Sequence, residues 1–573
     1  MLNIKNKSKS IIVALALLAA ILIAPLSVLR VSAAEASSAS FDIDKSYYSD
    51  DYEHLADKDV VFQNITYEEA VYLFQQKGNY LIFLGGPWCG NTNAVIDYIN
   101  DAAKAAGVTT VYNLDLVLDG NAGYNNLGKE IAPNKNAHIR ESNSSSLDGA
   151  DYNYLYAELV TRYLTNLNDW VEYTKDSSSA LIYTDADIAV PKVQVPFLFI
   201  YNKDNTVNYK GESVEGKTYP IVYGYEKMLN RDEEGLYTTS RVYNTETEKY
   251  DRVTTRVDDA TYIQELNDAI FSHIGTGEGK LTLSSFTSAD YIRLAYNERA
   301  GKKIFEDGQQ INIETITYKQ LDWLLQQDGT YLILFGGAWC GNTQAVIDII
   351  NDYAVANNVT VYNFDTKLDG GYAKYKWGYS QEVHIRDNNN PFSYLYVSLV
   401  NTYLPYIKTE YDITKEGQYI FYKDQNDAEV KANKLQVPYF FTYDKSNVDK
   451  DGHNAPIVSY VEKMYTLKSE RDDYIGLEAN YIDYTTAAFD VVSAYGSKVG
   501  ATVKNIEQPN DLIKAQDDGQ NEGQNNENNS SNTGKIVAAV IGVIVVIAIV
   551  AAVIVIGKKK SSDNGDKSDN QNL

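Results

Sequence analysis

An α/β fold in two tandem units, each with a central mixed sheet, follows from three features: an internal repeat, short apolar runs bounded by turn residues, and helical periodicity between them. Pro87 to Asp101 reads PWCGNTNAVIDYIND and Ala338 to Asp352 reads AWCGNTQAVIDIIND, with twelve of fifteen positions identical. Upstream, Ile65-Thr66-Tyr67 pairs with Ile316-Thr317-Tyr318, and YLIFLGG (80–86) with YLILFGG (331–337). Downstream, Val111-Tyr112-Asn113 with Asp115 pairs with Val361-Tyr362-Asn363 with Asp365. Ala137-His138-Ile139-Arg140 matches Val383-His384-Ile385-Arg386, and VQVPF (193–197) matches LQVPY (435–439). The offsets set a unit of about 245 residues, so the units run over 40–276 and 277–503.

In the first unit, Ile65 to Gln76 has the pattern of a short amphipathic helix with Thr66 as its N-cap. Tyr80 to Leu84 is a continuous apolar run closed by Gly85-Gly86, which predicts a buried parallel strand. Asn91 to Ala106 has helical periodicity, and Val108 to Leu114 reads as another strand. A long polar loop leads to a Tyr/Leu helix over about residues 152–167. Pro196 opens the strand Phe197 to Tyr201, Ile221 to Tyr225 is a further strand, and Tyr262 to His273 a terminal helix.

The ends of the chain read as targeting and anchoring segments. Residues 1–36 have the order of a secretory signal: Lys5, Lys7 and Lys9, an apolar run from Ile11 to about Ala24, then small residues around Ala34-Glu35-Ala36. The alternative is an uncleaved N-terminal anchor, and either exports the bulk of the chain. Residues 504–533 are rich in Asn, Gln, Glu, Asp, Gly and Ser and have too little apolar surface to fold, which predicts a disordered stalk. Ile536 to Ile556 holds only Ile, Val, Ala and one Gly, long enough at ~1.5 Å per residue to cross a ~30 Å hydrocarbon core. Lys558, Lys559 and Lys560 come directly after it, placing the tail 557–573 in the cytoplasm and the domains outside. The expected location is a cell membrane, single-pass, with this architecture being of a Gram-positive bacterial kind.

A net charge of −26 excludes a nucleic-acid role, which needs a basic surface, and disfavours docking on anionic lipid. Two cysteines in an exported chain form no disulfide framework, so the domains rest on ordinary hydrophobic cores. The 48 tyrosines suit half-buried positions, with a carbohydrate- or partner-binding surface as the functional alternative for some.

A strand running into Trp-Cys-Gly-x-x at a helix start, with Val-Pro before a strand later in the chain, resembles the thioredoxin superfamily. The matching residues are Trp88-Cys89-Gly90-Asn91-Thr92 with Val195-Pro196, and Trp339-Cys340-Gly341-Asn342-Thr343 with Val437-Pro438. The resemblance implies two tandem thioredoxin-like domains, with Pro196 and Pro438 cis and beside the cysteines. The longer segment from about Leu116 to Val190 is similar to the helical insertion of DsbA-like oxidoreductases. Two departures stand out: Thr92 and Thr343 replace the second cysteine of Cys-x-x-Cys, and the buried acid of the strand before the motif is absent, with Phe83 and Leu334 at that place. Dithiol exchange within one motif is therefore excluded.

A cysteine at a helix N-terminus faces unpaired N–H groups and the positive end of the helix dipole, both of which favour the nucleophilic thiolate. Thr92 or Thr343, one turn on, is placed to donate its hydroxyl to that sulfur. Such a site attacks a disulfide and needs an external thiol for release, which makes the partners exported protein thiols or disulfides and requires no cofactor. Cys89, Cys340, Thr92, Thr343, Pro196 and Pro438 are thus the catalytic candidates. The rival reading keeps the cysteines as small packed side chains under Trp88 and Trp339, in a non-catalytic binding or adhesion module for a surface ligand. A Cys89–Cys340 disulfide is a third option and needs the two faces to meet. Exposure of the sulfurs separates enzyme from module.

His138 and His384 are two of five histidines and hold the same place in both units. Each is either a base for its cysteine or a loop histidine bonded to backbone, the second being the simpler reading. Arg140 and Arg386 are expected to pair with Asp115 and Asp365. Asp115, Asp119, Asp365 and Asp369 recur in Asn-x-Asp-x-x-Leu-Asp-Gly, but the spacing does not match a calcium loop and Asp-Gly is ordinary turn chemistry, so no metal is assigned.

Overall fold

A computed structural model of the chain describes residues 41–121, 136–140, 152–171, 181–183, 188–227, 237–244, 249–256, 260–378, 382–405, 407, 409, 415–424, 426–449 and 452–462. The signal segment, residues 463–503, the stalk, the apolar span 536–556 and the basic tail lie outside the described residues. Among the described residues, no helix is long and apolar enough to cross a membrane.

The first repeat forms β1 (Phe62–Asn64), β2 (Tyr80–Leu84), β3 (Val111–Leu114), the hairpin β4 (Leu181–Tyr183) and β5 (Ala189–Pro191), then β6 (Phe197–Tyr201), β7 (Ile221–Glu226) and a second hairpin, β8 (Tyr237–Asn244) and β9 (Lys249–Arg256). The second repeat forms β10 (Ile313–Ile316), β11 (Tyr331–Phe335), β12 (Val361–Phe364), the hairpin β13 (Tyr419–Lys423) and β14 (Glu429–Asn433), then β15 (Tyr439–Tyr443) and β16 (Ile457–Glu462). Two five-stranded mixed sheets result, ordered β1-β3-β2-β6-β7 and β10-β12-β11-β15-β16. In each, the first three strands are parallel and the last two antiparallel. The register sets Leu84 opposite Phe197 and Phe335 opposite Tyr439, so each strand entering the motif ends beside the strand that starts after the proline.

The unbroken apolar runs are explained by cover on both faces. Tyr80, Ile82 and Leu84 face a core that continues through both repeats to Val461. Leu81 and Phe83 point the other way, against Val95, Ile99, Leu198, Ile200 and Leu266. The strand expected over 108–114 begins only at Val111. Thr66 caps helix Tyr67–Phe74 with a full capping box to Glu69, and Thr317 does the same for helix Tyr318–Leu324 through Gln320. Between β3 and β6 the described elements are helix Tyr154–Arg162, the single turn Leu167–Asp169 and the β4–β5 hairpin.

Two helices without a clear periodic signal join the repeats. Helix Ile43–Asp51 opens the described chain, and helix Ser288–Ala300, capped by Thr287 and Asp290, links the sheets. The linker segment packs on the first repeat: Phe286 N–H donates to Tyr112 Oη (2.6 Å) and Tyr291 Oη to Glu68 (2.7 Å). Arg299 bonds Glu68 of the first repeat and donates to the Gly370 carbonyl of the second (2.9 Å). Phe41 stacks on Trp323 at 6.1 Å, and Tyr152 meets Phe392 at 5.1 Å.

Candidate functional site

Each motif begins where a buried strand ends. After β2 the chain turns through Gly85-Gly86, and Cys89, with extended backbone (φ −92°, ψ 117°), becomes the N-cap of the 16-residue helix Gly90–Ala105. The glycines are required by close approach. A Cβ on Gly86 would fall on the Trp88 indole nitrogen and the Asp115 carboxylate, and one on Gly85 on the Phe83 ring. Gly336 and Gly337 are equally crowded, the latter by Trp339 and Asp365. Asn93 Nδ2 closes the turn on the Pro87 and Cys89 carbonyls at 2.6 and 2.9 Å, and Gln344 Nε2 reaches the Ala338 carbonyl at 2.6 Å.

The repeats diverge beyond the cysteine. Cys340 caps only the four-residue helix Gly341–Gln344, and a second helix, Ile347–Asn357, starts after a break at Ala345 and Val346. Cys340 is buried, 7 % exposed, whereas Cys89 is half-buried.

The Val195–Pro196 and Val437–Pro438 peptide bonds are cis. Each loop meets its cysteine: Cys89 Sγ lies 3.4 Å from the Val195 carbonyl oxygen and Cys340 Sγ 3.4 Å from that of Val437. The rest of the loop backbone is held by a set of bonds duplicated in both repeats. Val193 N–H donates to Tyr156 Oη (2.7 Å), which donates to the Pro191 carbonyl (2.9 Å). Gln194 N–H donates to the buried Glu226 carboxylate at 2.5 Å. Leu435 N–H and Tyr396 Oη, with Gln436 N–H and Glu462 (2.6 Å), repeat this. Arg140 Nη1 donates to the Val193 carbonyl (3.0 Å) and Arg386 Nη1 to that of Leu435 (2.9 Å). The guanidinium groups thus hold the proline loops, which corrects the sequence expectation of a pairing with Asp115 and Asp365. The physical reason is that each arginine comes two residues after the strand-like bridge at His138 or His384 and reaches the carbonyl of the proline loop.

The aspartates serve the tryptophans. Trp88 Nε1 donates to Asp115 Oδ1 (2.8 Å), and Trp339 Nε1 to Asp365 Oδ1 (2.9 Å). The same oxygens accept the Val117 and Lys367 N–H groups. Burial pushes both carboxyl groups up to about 7 against these bonds, which lower them. The sequence held the signal, since both aspartates recur, but not the partner.

His138 and His384 place their rings edge-on to Trp88 and Trp339, at 5.2 and 5.7 Å. Burial, then the neighbouring Arg386 and lysines 367, 434 and 374, drive His384 down to about 2; burial, Arg140 and Lys192 drive His138 well below its ordinary value. A ring held neutral this firmly is a weak base at neutral pH. Neither Nε2 has a hydrogen-bond partner, and the backbone of each histidine forms the bridge to Val117 or Lys367.

Thr92 and Thr343 are fully buried, and their hydroxyls have no hydrogen-bond partner, so neither donates to sulfur. The methyl groups instead face the space over Gly85 and Gly336. Asp119 Oδ1 accepts the Ala137 N–H (3.0 Å) from a segment 18 positions on, and Asp369 Oδ1 accepts the Gly371 N–H (3.3 Å) in its own turn. Among the described residues, no three His, Cys, Asp or Glu side chains are grouped to hold a metal ion.

No family model matches the chain, and no curated protein matches it. Among solved structures, a match is found to the "Crystal structure of ERdj5 form I", at 8 % identity and a TM-score of 0.14, over 75 % of this chain and 30 % of that one. The chain therefore spans less than a third of the length of that neighbour.

Proposed function

We propose that each repeat is a thioredoxin-like domain, and that the chain is a membrane-anchored extracellular protein performing monothiol thiol–disulfide exchange on exported proteins through Cys89. The observation that carries this reading is the half-buried Cys89, at a helix N-terminus with its sulfur 3.4 Å from the carbonyl before a cis proline. The helix terminus faces the sulfur with unpaired N–H groups, and exposure admits a substrate. In the reaction the thiol proton passes to solvent and the thiolate attacks a substrate disulfide. A Cys89–substrate disulfide forms as the second substrate thiolate leaves. An external thiolate then attacks the mixed disulfide and restores Cys89, so no net oxidant is consumed.

A second reading applies to the other repeat. The burial of Cys340 and the short helix behind it favour a binding module that keeps the fold without the chemistry. The test is mass spectrometry of the full chain after incubation with glutathione disulfide. One glutathione adduct on Cys89, lost in Cys89→Ser and kept in Cys340→Ser, is expected. No adduct on either cysteine of the folded chain would replace the enzyme by a binding module throughout.

A further inference from the structure

The two repeats meet through the same face of each. The first turn of helix Tyr67–Phe74 lies on the Asp-Gly turn of the second repeat, and the first turn of helix Tyr318–Leu324 on that of the first. Gly370 leaves no room for a Cβ beside Glu68, and Gly120 none beside Lys319. Glu68 and Lys319 are counterparts in the repeat, as are Gly120 and Gly370. The cavity at the junction, ≈ 40 Å³, is lined by counterpart pairs, Thr66 with Thr317, Asp115 with Asp365 and Leu118 with Leu368 among them. Tyr152 and Phe392 stand two residues before the matching Tyr-Leu-Tyr of each repeat, and their rings meet at 5.1 Å. A residue that touches its own counterpart, and a contact of i with j repeated as j with i, mark a two-fold axis.

The opening helices obey the same relation. Each follows a Phe and a capping residue: Phe41-Asp42 before Ile43–Asp51, and Phe286-Thr287 before Ser288–Ala300. Both reach the other repeat. Phe41 packs on Tyr331 (5.6 Å) and Tyr362 (6.3 Å) of the second repeat, while the Phe286 N–H donates to Tyr112 of the first, the counterpart of Tyr362. Asp44 accepts from Gln320 (2.8 Å) and Ser288 donates to Glu69 (3.0 Å), the matching third residues of the two capping boxes. Tyr47 meets Trp323 at 6.1 Å, and Tyr291 meets Tyr72, the counterpart of Trp323, at 5.7 Å. Each helix keeps a hold on its own repeat as well, Tyr48 on Asn64 (2.8 Å) and Tyr296 on Phe305 (6.4 Å).

We propose that the repeats form an internal dimer about a pseudo-two-fold axis, closed by exchange of the opening helices, so that each arm holds the opposite repeat and the covalent link between the repeats is dispensable for their association. The pairing is also directional. Arg299, on the second arm, is the cation beside buried Glu68 and donates to the Gly370 carbonyl (2.9 Å). A second copy of the first repeat in that place would leave Glu68 buried without it, so the partner that fits the first repeat's face is the second repeat. Because Asp115 and Asp365 hold Trp88 and Trp339, the same axis fixes how the two cysteine motifs stand to each other.

The experiment cuts the full chain, in detergent and under reducing conditions, at a protease site placed in the exposed stretch 276–280. The halves, each keeping its arm, are expected to elute together at the size of the uncut chain; halves that separate without denaturant would overturn the proposal. Amide hydrogen exchange on the uncut chain reads the exchange of arms. Phe41→Ala is expected to speed exchange at 318–335, in the repeat its ring packs on, at least about tenfold more than at 67–84, and Tyr291→Ala to show the reverse bias, since each ring contact alone contributes several-fold. Absence of that bias in either variant would overturn the arm exchange, and should a variant not fold, the cut chain decides.

Discussion

Replacing Tyr156 by Phe removes one oxygen and nothing else, yet it cuts the proline loop of the first repeat at two points. Tyr156 Oη accepts the Val193 N–H at 2.7 Å and donates to the Pro191 carbonyl at 2.9 Å. Val193 is completely buried, so its N–H has no water to turn to and its loss costs about 1–3 kcal/mol. Pro191 is half-buried and water can reach its carbonyl, so that bond contributes near the net value of about 1 kcal/mol. The sum, about 2–4 kcal/mol, corresponds at a urea slope of about 3 kcal/mol/M to a midpoint lower by about 0.7–1.3 M. The loop also carries the carbonyl that meets Cys89, so the same variant should raise the labelling rate of that thiol. Urea denaturation read by near-ultraviolet circular dichroism, with quenched alkylation in parallel, measures both. A midpoint shift under about 0.2 M with unchanged labelling would show that the hydroxyl does not hold the loop.

Three further outcomes rest on the same geometry. Ionisation of Asp115 and Asp365 near pH 7 should change tryptophan emission, because the indole N–H then faces a carboxylate; the Asp115→Asn/Asp365→Asn variant should titrate flat in that region. Arg299→Leu leaves Glu68, 1 % exposed, as a buried charge without its partner and should cost about 3–5 kcal/mol by urea unfolding, while Arg299→Leu with Glu68→Leu should recover most of it. Gly86→Ala drives a methyl onto Trp88 and Asp115 and should cost about 1–3 kcal/mol, a loss that calorimetry would register.

What the sequence disclosed was set by local rules. The strands Tyr80–Leu84 and Phe197–Tyr201 were legible because apolar runs between turn residues need cover on two faces, and the Thr66 cap because Glu69 stands three residues on. The repeat made the motif and its distant Val-Pro readable as one site. Long-range partners were not legible: the Trp88–Asp115 bond spans 27 positions and Gln194–Glu226 spans 32, and no periodicity encodes either. Helix Ser288–Ala300 lacks a clean apolar stripe because both repeats pack around it, with Glu68 and Arg299 taking the place of apolar contacts. The assignment of the Thr92 hydroxyl to sulfur failed on rotamer: position on the first turn fixes the Cα, while packing over Gly85 decides which γ atom faces where.

The proposed chemistry stands or falls on Cys89 being an accessible thiol while Cys340 is not. Iodoacetamide alkylation of the full chain, folded and in denaturant, with Cys89→Ser and Cys340→Ser to assign each sulfur, tests it most directly. Labelling of Cys89 is expected in the folded chain, and labelling of Cys340 only in denaturant. Labelling of Cys89 that also waits for denaturant would contradict it.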